Sequence, residues 1–329
     1  MPSSAPAFSM DRTYYDMTSF VGRTKYYFAS INPLMLLENK DTLAHHKSVI
    51  DQAKKGTLPK GKYTDAQMWD SRAKVEACVH SSTGDVIPPA FRMAAFVPVN
   101  FLIVPAMMLP STVTSVPRTI AIHWINQSFN ALVNYSNRGS DAQPVEEILK
   151  AYGAAVTVSL AGALTATAAL RKFGGGGGMG ATIIRSTLPM LSVAASGAAN
   201  VGLMRKNEWM GPGVRVYDED GKERGQSTAA GLISWKECSV ARVLWNVPSM
   251  TFAPILAGPM MAAVPALGRY PAMVELMLIY AGLVLGVPPA LAYYPPTEVV
   301  AVERLEKQFW NITREDGTPV TQLSFAKGL

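Results

Sequence analysis

Five stretches of the chain contain no Asp, Glu, Lys or Arg. They are bounded by Arg92 and Arg118, Lys150 and Arg171, Arg185 and Arg205, Arg242 and Arg269, and Glu275 and Glu298. Each is about the length an α-helix needs to cross a hydrocarbon core, roughly 20 residues at 1.5 Å apiece. One such gap fits a buried core helix; five in one chain predict an integral membrane protein, with spans over 93–109, 151–170, 187–204, 247–267 and 273–294. A further segment, 119–136, is too polar for a plain span and too apolar for a loop. Wound at 100° per residue, it gathers His123, Asn126, Gln127, Asn130, Asn134 and Asn137 within roughly 100° of arc, with Ile122, Ile125, Phe129, Leu132 and Val133 over much of the rest. An uncharged amide stripe on an apolar helix faces either other helices or a small polar solute.

Residues 1–91 are polar and of mixed charge. Helices are predicted over 34–54 and 64–79, the second with Thr64 as N-cap. This region reads as a helical cap on the membrane domain; an amphipathic element on anionic lipid is the sharper alternative. The N-terminus, 1–11, shows no apolar signal-peptide core and no Arg-rich presequence, so insertion information is expected in the internal helices. The predicted organisation is a polar helical region at 1–91, a transmembrane domain at 92–295 carrying a hydrophilic loop at 205–230, and a tail at 296–329. The fold class is all-α and polytopic, with five spans, or six if the amide stripe crosses.

Several spans carry helix breakers. Pro98 and Pro105 would bend the first, whose one strongly polar side chain is Asn100. Pro254 and Gly258-Pro259 are expected to break the fourth, and Gly282, Gly286 and Pro288-Pro289 the fifth. Free backbone groups at mid-membrane depth are tolerable only inside protein or against a wet cavity, which makes such breaks candidates for a solute site. The plain alternative is kinking for packing. The third span places Ser192, Ser196 and Asn200 on one side at i, i+4, i+8. The second is rich in Ala, Gly, Thr and Ser, which permits close helix packing. Gly174–Gly178 lacks the Lys-Ser/Thr of a phosphate loop and reads as a connector.

Charge changes this picture little. The formal balance of +6 is spread through loops, which suits topology and lipid-surface charge and forms no nucleic-acid stripe. Two cysteines cannot build a disulfide framework, and Cys78-x-His80 is the nearest approach to a metal motif, so no metal and no cofactor is expected. Asp218, Asp220 and Gly221 lack calcium-loop spacing; a turn, with a short hairpin around it, is expected there. No nucleophile elbow or metal cluster arranges the Ser, His and Asp residues, which argues against an enzyme.

The order and spacing of several motifs, from about Phe20 to the last residue, resemble the sideroflexin family of mitochondrial inner-membrane carriers. Most specific are His123-Trp124-Ile125-Asn126-Gln127-Ser128-Phe129-Asn130-Ala131 and Asn134-Tyr135-x-Asn137-Arg138. Phe20-x-Gly22-Arg23, His80-x-x-Thr83-Gly84-Asp85, Leu203-Met204-Arg205 and Lys327-Gly328-Leu329 support it. The resemblance implies transport of small neutral amino acids, serine above all, with alanine, glycine and cysteine as related substrates, feeding one-carbon metabolism. It implies a multi-pass protein of the mitochondrial inner membrane with five spans and its N-terminus in the matrix. The family has also been linked to iron and to tricarboxylates. An amide stripe agrees on solute type: a zwitterion needs donors and acceptors, which Asn and Gln supply without burying net charge, whereas citrate would call for several cations in the spans.

Two departures from the family pattern stand out. Ser81-Ser82 replaces a Pro-Asp pair, and Gly197 stands where a first Asn precedes Asn200. The positive-inside rule prefers six spans and the family description five. The substrate-binding candidates are therefore Asn100, His123, Asn126, Gln127, Asn130, Asn134 and Asn200. The helix-break candidates are Pro254, Gly258, Pro259, Gly286 and Pro288. The competing expectation is a structural or assembly subunit of respiratory-chain complexes.

Overall fold

The computed structural model describes residues 5–59, 61–80, 83–136, 145–173 and 179–327. The Gly174–Gly178 run, the Ser81-Ser82 departure, Asn137-Arg138 and the final Gly328-Leu329 lie outside the described residues, as does the side chain of Asn134.

The N-terminal region holds three helices whose starts are written in their caps. Helix α1 (Phe20–Ser30) begins where Ser19 Oγ accepts from the Gly22 N–H. Asn39 does the same for α2 (Lys40–Lys54), which is separated from a 3₁₀ turn at Pro33–Leu37; the single helix expected over 34–54 is thus two pieces. Helix α3 (Asp65–Cys78) starts with Thr64 and Gln67 in a reciprocal capping box. Both α1 and a buried arginine attach the region to the helices that follow. Tyr27 packs against Val287, Leu291 and Ala292, and Arg23 Nε donates to the Ala292 carbonyl at 2.9 Å. Arg92, only 1% exposed, donates to the carbonyls of Ile87, Met35 and Glu38. A cap docked on the helix bundle is what is seen, although α1 still presents Phe20, Val21 and Phe28 outward.

The bundle comprises α4 (Phe96–Met108), the short α5 (Pro110–Val113), α6 (Val116–Ser136), α7 (Val145–Phe173) and α8 (Met179–Met204). After the single turn α9 (Lys206–Trp209) and a hairpin of β1 (Val214–Tyr217) and β2 (Glu223–Ser227), it continues with α10 (Thr228–Asn246), α11 (Ala253–Ala263) and α12 (Pro271–Ala292). Among the described residues two segments, Leu149–Ala169 and Pro271–Ala292, are long and apolar enough to cross a membrane, and Met93–Met108 is a shorter apolar helix. Large apolar side chains such as Leu102, Leu191, Met277 and Leu285 point outward. On the outside of long helices that pattern suits a lipid surrounding.

The expected helix breaks are not where the prolines and glycines put them. Helix α11 runs through Gly258 and Pro259 and α12 through Gly286 and Pro288-Pro289, while Pro254 is the second residue of α11. The irregular stretch is Val247–Phe252, which winds as a π-helix between α10 and α11. The two α12 glycines have a packing cause. A Cβ at Gly282 would lie 2.7 Å from the Pro248 carbonyl carbon, and one at Gly286 2.5 Å from the Pro248 ring. Small residues four apart let the π-segment lie directly on α12.

The all-α expectation is corrected by a four-stranded antiparallel sheet of order β2-β1-β4-β3, in which β3 (Thr297–Ala301) and β4 (Gln322–Ala326) come from the C-terminal segment. The expected tail is therefore half of a small domain whose other half is the hairpin of the 205–230 loop. Val216, Val300, Leu323 and Phe325 fill its core with Phe309. Asp218 is spent on the hairpin turn, accepting from the N–H groups of Asp220 and Lys222 and from Arg224 Nε at 2.6 Å. Gly221 takes the positive φ of 78° that closes the turn.

Candidate functional site

The amide stripe falls on α6, whose polar edge is buried while Ile120, Trp124, Ile125, Leu132 and Tyr135 face outward. Phe129 and Val133 pack against Ile103 and Met107 of α4, while the polar edge turns toward α7 and α8. Those two helices approach closely through small residues; a Cβ on Gly162 would stand 2.7 Å from Ser192 Oγ. His123, Asn126 and Gln127 of the stripe therefore face neighbouring helices.

Its members divide by what they bind. Gln127, 2% exposed, donates through Nε2 to Ser196 Oγ at 2.8 Å and to Ser159 Oγ at 3.3 Å. Ser159 Oγ also lies 3.1 Å from His123 Nδ1, and its carbonyl accepts from Ser192 Oγ at 3.3 Å. After accepting from Gln127, Ser159 Oγ keeps a second lone pair and its own proton, so this contact serves either tautomer of His123. Asn126 is 3% exposed, and its Nδ2 has no hydrogen-bond partner. A sealed amide donor without an acceptor costs about 1–3 kcal/mol. Asn130, half-buried, approaches Asn126 Oδ1 at 3.5 Å, the outer limit of a hydrogen bond.

The other candidates are scattered. Asn100 is buried on α4 but donates to the Phe96 carbonyl of its own helix at 2.8 Å. Asn200 is buried on α8. Asn134 belongs to α6 by its backbone. Pro254, Gly258, Pro259, Gly286 and Pro288 belong to α11 and α12, not to the helices that form the α6–α7–α8 seam. Ser159 is the residue the sequence did not single out; nothing distinguishes it among the small polar residues of α7.

A cavity of about 20 Å³ adjoins the seam, lined by Thr112, Thr119, His123, Thr167, Met107 and Pro189 together with Ala163 and Ala166. That volume suits one water molecule. It is polar on the His123 side, and Thr119 Oγ1 donates to the Thr112 carbonyl at 2.9 Å. Among the described residues lining it, only His123 is ionisable. The seam thus offers uncharged donors and acceptors in a dry setting, in a closed arrangement.

A family model described as sideroflexins matches residues 9–329. The chain belongs to the sideroflexin family. It is 29% identical to a sideroflexin of Dictyostelium discoideum, covering 99% of each chain, and 30% identical to sideroflexin-1 of Bos taurus, covering 98% of each. It is 28% identical to sideroflexin FSF1 of Saccharomyces cerevisiae over the full length of both. No solved structure matches it. The family match runs through the N-terminal cap, the seam and the C-terminal sheet, so all three belong to one sideroflexin unit.

Proposed function

We propose that this sideroflexin is a carrier, not an enzyme, that moves serine and other small neutral amino acids (alanine, glycine, cysteine) across the mitochondrial inner membrane, supplying one-carbon metabolism. The observation that carries this reading is the buried, uncharged seam of His123, Asn126, Gln127, Ser159 and Ser196, with an Asn126 amide still lacking an acceptor. A zwitterion that carries both charges within itself needs such donors and acceptors. A cavity of about 20 Å³ is too small for an amino acid, so transport requires α6 to separate from α7 and α8. The reading takes α4, α7, α8, α11 and α12 as the five spans, with the polar edge of α6 packed on α7 and α8 and the N-terminus in the matrix.

The test is uptake of labelled serine into liposomes holding only this protein, with alanine, citrate and ferrous iron as competitors. Saturable uptake blocked by alanine and not by citrate supports the carrier. A second reading, a structural subunit of respiratory-chain complexes, is favoured by the closed seam, where Gln127 already has two acceptors and serves as helix glue. It predicts stable co-purification with a large complex and no flux from the protein alone.

A further inference from the structure

Most buried cations of this protein have visible partners. Arg23 and Arg92 donate to backbone carbonyls. Arg205 pairs with Glu208 at 2.5 Å, and Lys327, fully buried, holds Glu237 at 2.5 Å and Glu298 at 2.7 Å. Arg242 is different. It lies near the end of α10, where α10 crosses α8, and its Cδ stands 3.2 Å from where a Cβ on Gly197 would be. Any side chain at position 197 would crowd it. The guanidinium carbon sits 5.0 Å from the centre of the Trp245 ring. Among the described residues its guanidinium makes no ion pair and no hydrogen bond.

A half-buried guanidinium between helices, with an aromatic ring on one side and no acceptor, is poorly compensated. Its planar fork matches a carboxylate bidentately. We infer that Arg242 holds the carboxylate of the transported amino acid, an assignment that rests on the carrier reading above. The position fits the seam. On α8, at 100° per residue, Asn200 lies about 40° from Ser196 and Gly197 about 100° from it. A ligand anchored over Gly197 therefore has Asn200 as its neighbour toward Ser196 and Gln127. The carboxylate is met by charge, and the ammonium and side chain by the uncharged amides and hydroxyls. One cation also suits a monocarboxylate zwitterion better than a tricarboxylate.

The experiment reconstitutes the wild type, Arg242→Gln and Arg242→Lys, each checked for fold by gel filtration and melting temperature. It measures serine uptake in competition with serinamide, which keeps the ammonium and hydroxyl but has no carboxylate. The wild type should prefer serine strongly. In Arg242→Gln, uptake at low serine should fall about tenfold, the scale of one charge-assisted contact, and serinamide should compete as well as serine. Arg242→Lys should lie between, since a point charge lacks the fork. Wild-type discrimination in either folded variant overturns the assignment and leaves the carrier reading standing; if Arg242→Gln does not fold, Arg242→Lys decides alone. Loss of bound phospholipid from Arg242→Gln with discrimination intact would also overturn it, giving the guanidinium to a lipid phosphate. No serine uptake by folded wild type would instead contradict the carrier reading itself.

Discussion

Gln127 of α6 and Ser196 of α8 meet at 2.8 Å, and the same Gln127 amide reaches Ser159 of α7 at 3.3 Å, so one side chain ties three helices. Replacing it by Leu keeps the bulk and removes both bonds, leaving the two serine hydroxyls less satisfied. Hydrogen bonds between membrane helices average about 0.6 kcal/mol, so Gln127→Leu should destabilise by about 1 kcal/mol. A thermal-shift assay in detergent checks this; unchanged stability would mean the amide is free to serve a solute.

The glycine pattern of α12 separates packing from propensity. Gly282→Ala drives a methyl group into the Pro248–Ser249 backbone at 2.7 Å and should cost about 1–3 kcal/mol. Gly258→Ala, also inside a helix but with nothing within 4 Å of the new carbon, should be neutral or stabilising by up to about 1 kcal/mol. Melting temperatures of the two variants, side by side, give the comparison.

Glu306 connects the C-terminal segment to α10. Its carboxylate accepts from the N–H groups of Thr228 and Ala229 and from the hydroxyls of Ser227 and Thr228, at 2.6–2.9 Å. Burial alone would raise its pKa; the hydrogen bonds outweigh that and hold it below the usual carboxylate range. A depressed folded-state pKa contributes stability that is present above about pH 4.5 and lost as the pH falls through the lowered value. Glu306→Ala should cost about 1–2 kcal/mol at neutral pH, the scale of a lost helix cap, and should flatten the acid limb of the stability curve.

The N-terminal cap should respond at a higher pH. His46 lines a groove of about 410 Å³ with His45, Tyr63, Gln67, Asp70 and Ser71. Its Nδ1 lies 3.0 Å from Ser71 Oγ, and Lys74, held by Glu38 and Asp70, approaches Nε2 at 3.4 Å. Burial, with Lys74 adding, pushes the imidazole below its ordinary value near 6.5. The unfolded chain therefore takes up the proton first, and stability is lost as the pH drops below about 6.5 toward the lowered value. Hydrogen exchange of α2 and α3 at pH 7.5 and 5.5 should show the loss in the wild type and a smaller one in His46→Gln.

Helix positions were legible where charge is absent over a whole stretch, because a long uncharged run marks an apolar helix. The stripe on α6 was legible because His123, Asn126, Gln127 and Asn130 recur at helical spacing. Its partner Ser159 was not, since serine is unremarkable in a helix full of Ala, Gly and Thr. The breaks were misplaced because Pro259 and Pro288-Pro289 are carried within continuous helices, while the irregular turn at Val247–Phe252 lies against Gly282 and Gly286. The sheet was missed because β3 and β4 are five residues each and β4 pairs with Tyr217, more than a hundred positions away. Arg242 reads in sequence only as the edge of a charge-free stretch; the crossing of α8 and α10 shows that, among the described residues, it has no ion pair.

The central claim is that the α6 seam lines the path of a small zwitterion. Its most direct test is labelled serine uptake by liposomes of wild type, Asn126→Ala and Asn130→Ala at equal load, with each protein's fold confirmed. The account predicts saturable uptake by the wild type and a fall of about tenfold in each variant without loss of melting temperature, the scale of one lost polar contact. Wild-type rates in both variants, or no uptake by the folded wild type, would contradict it.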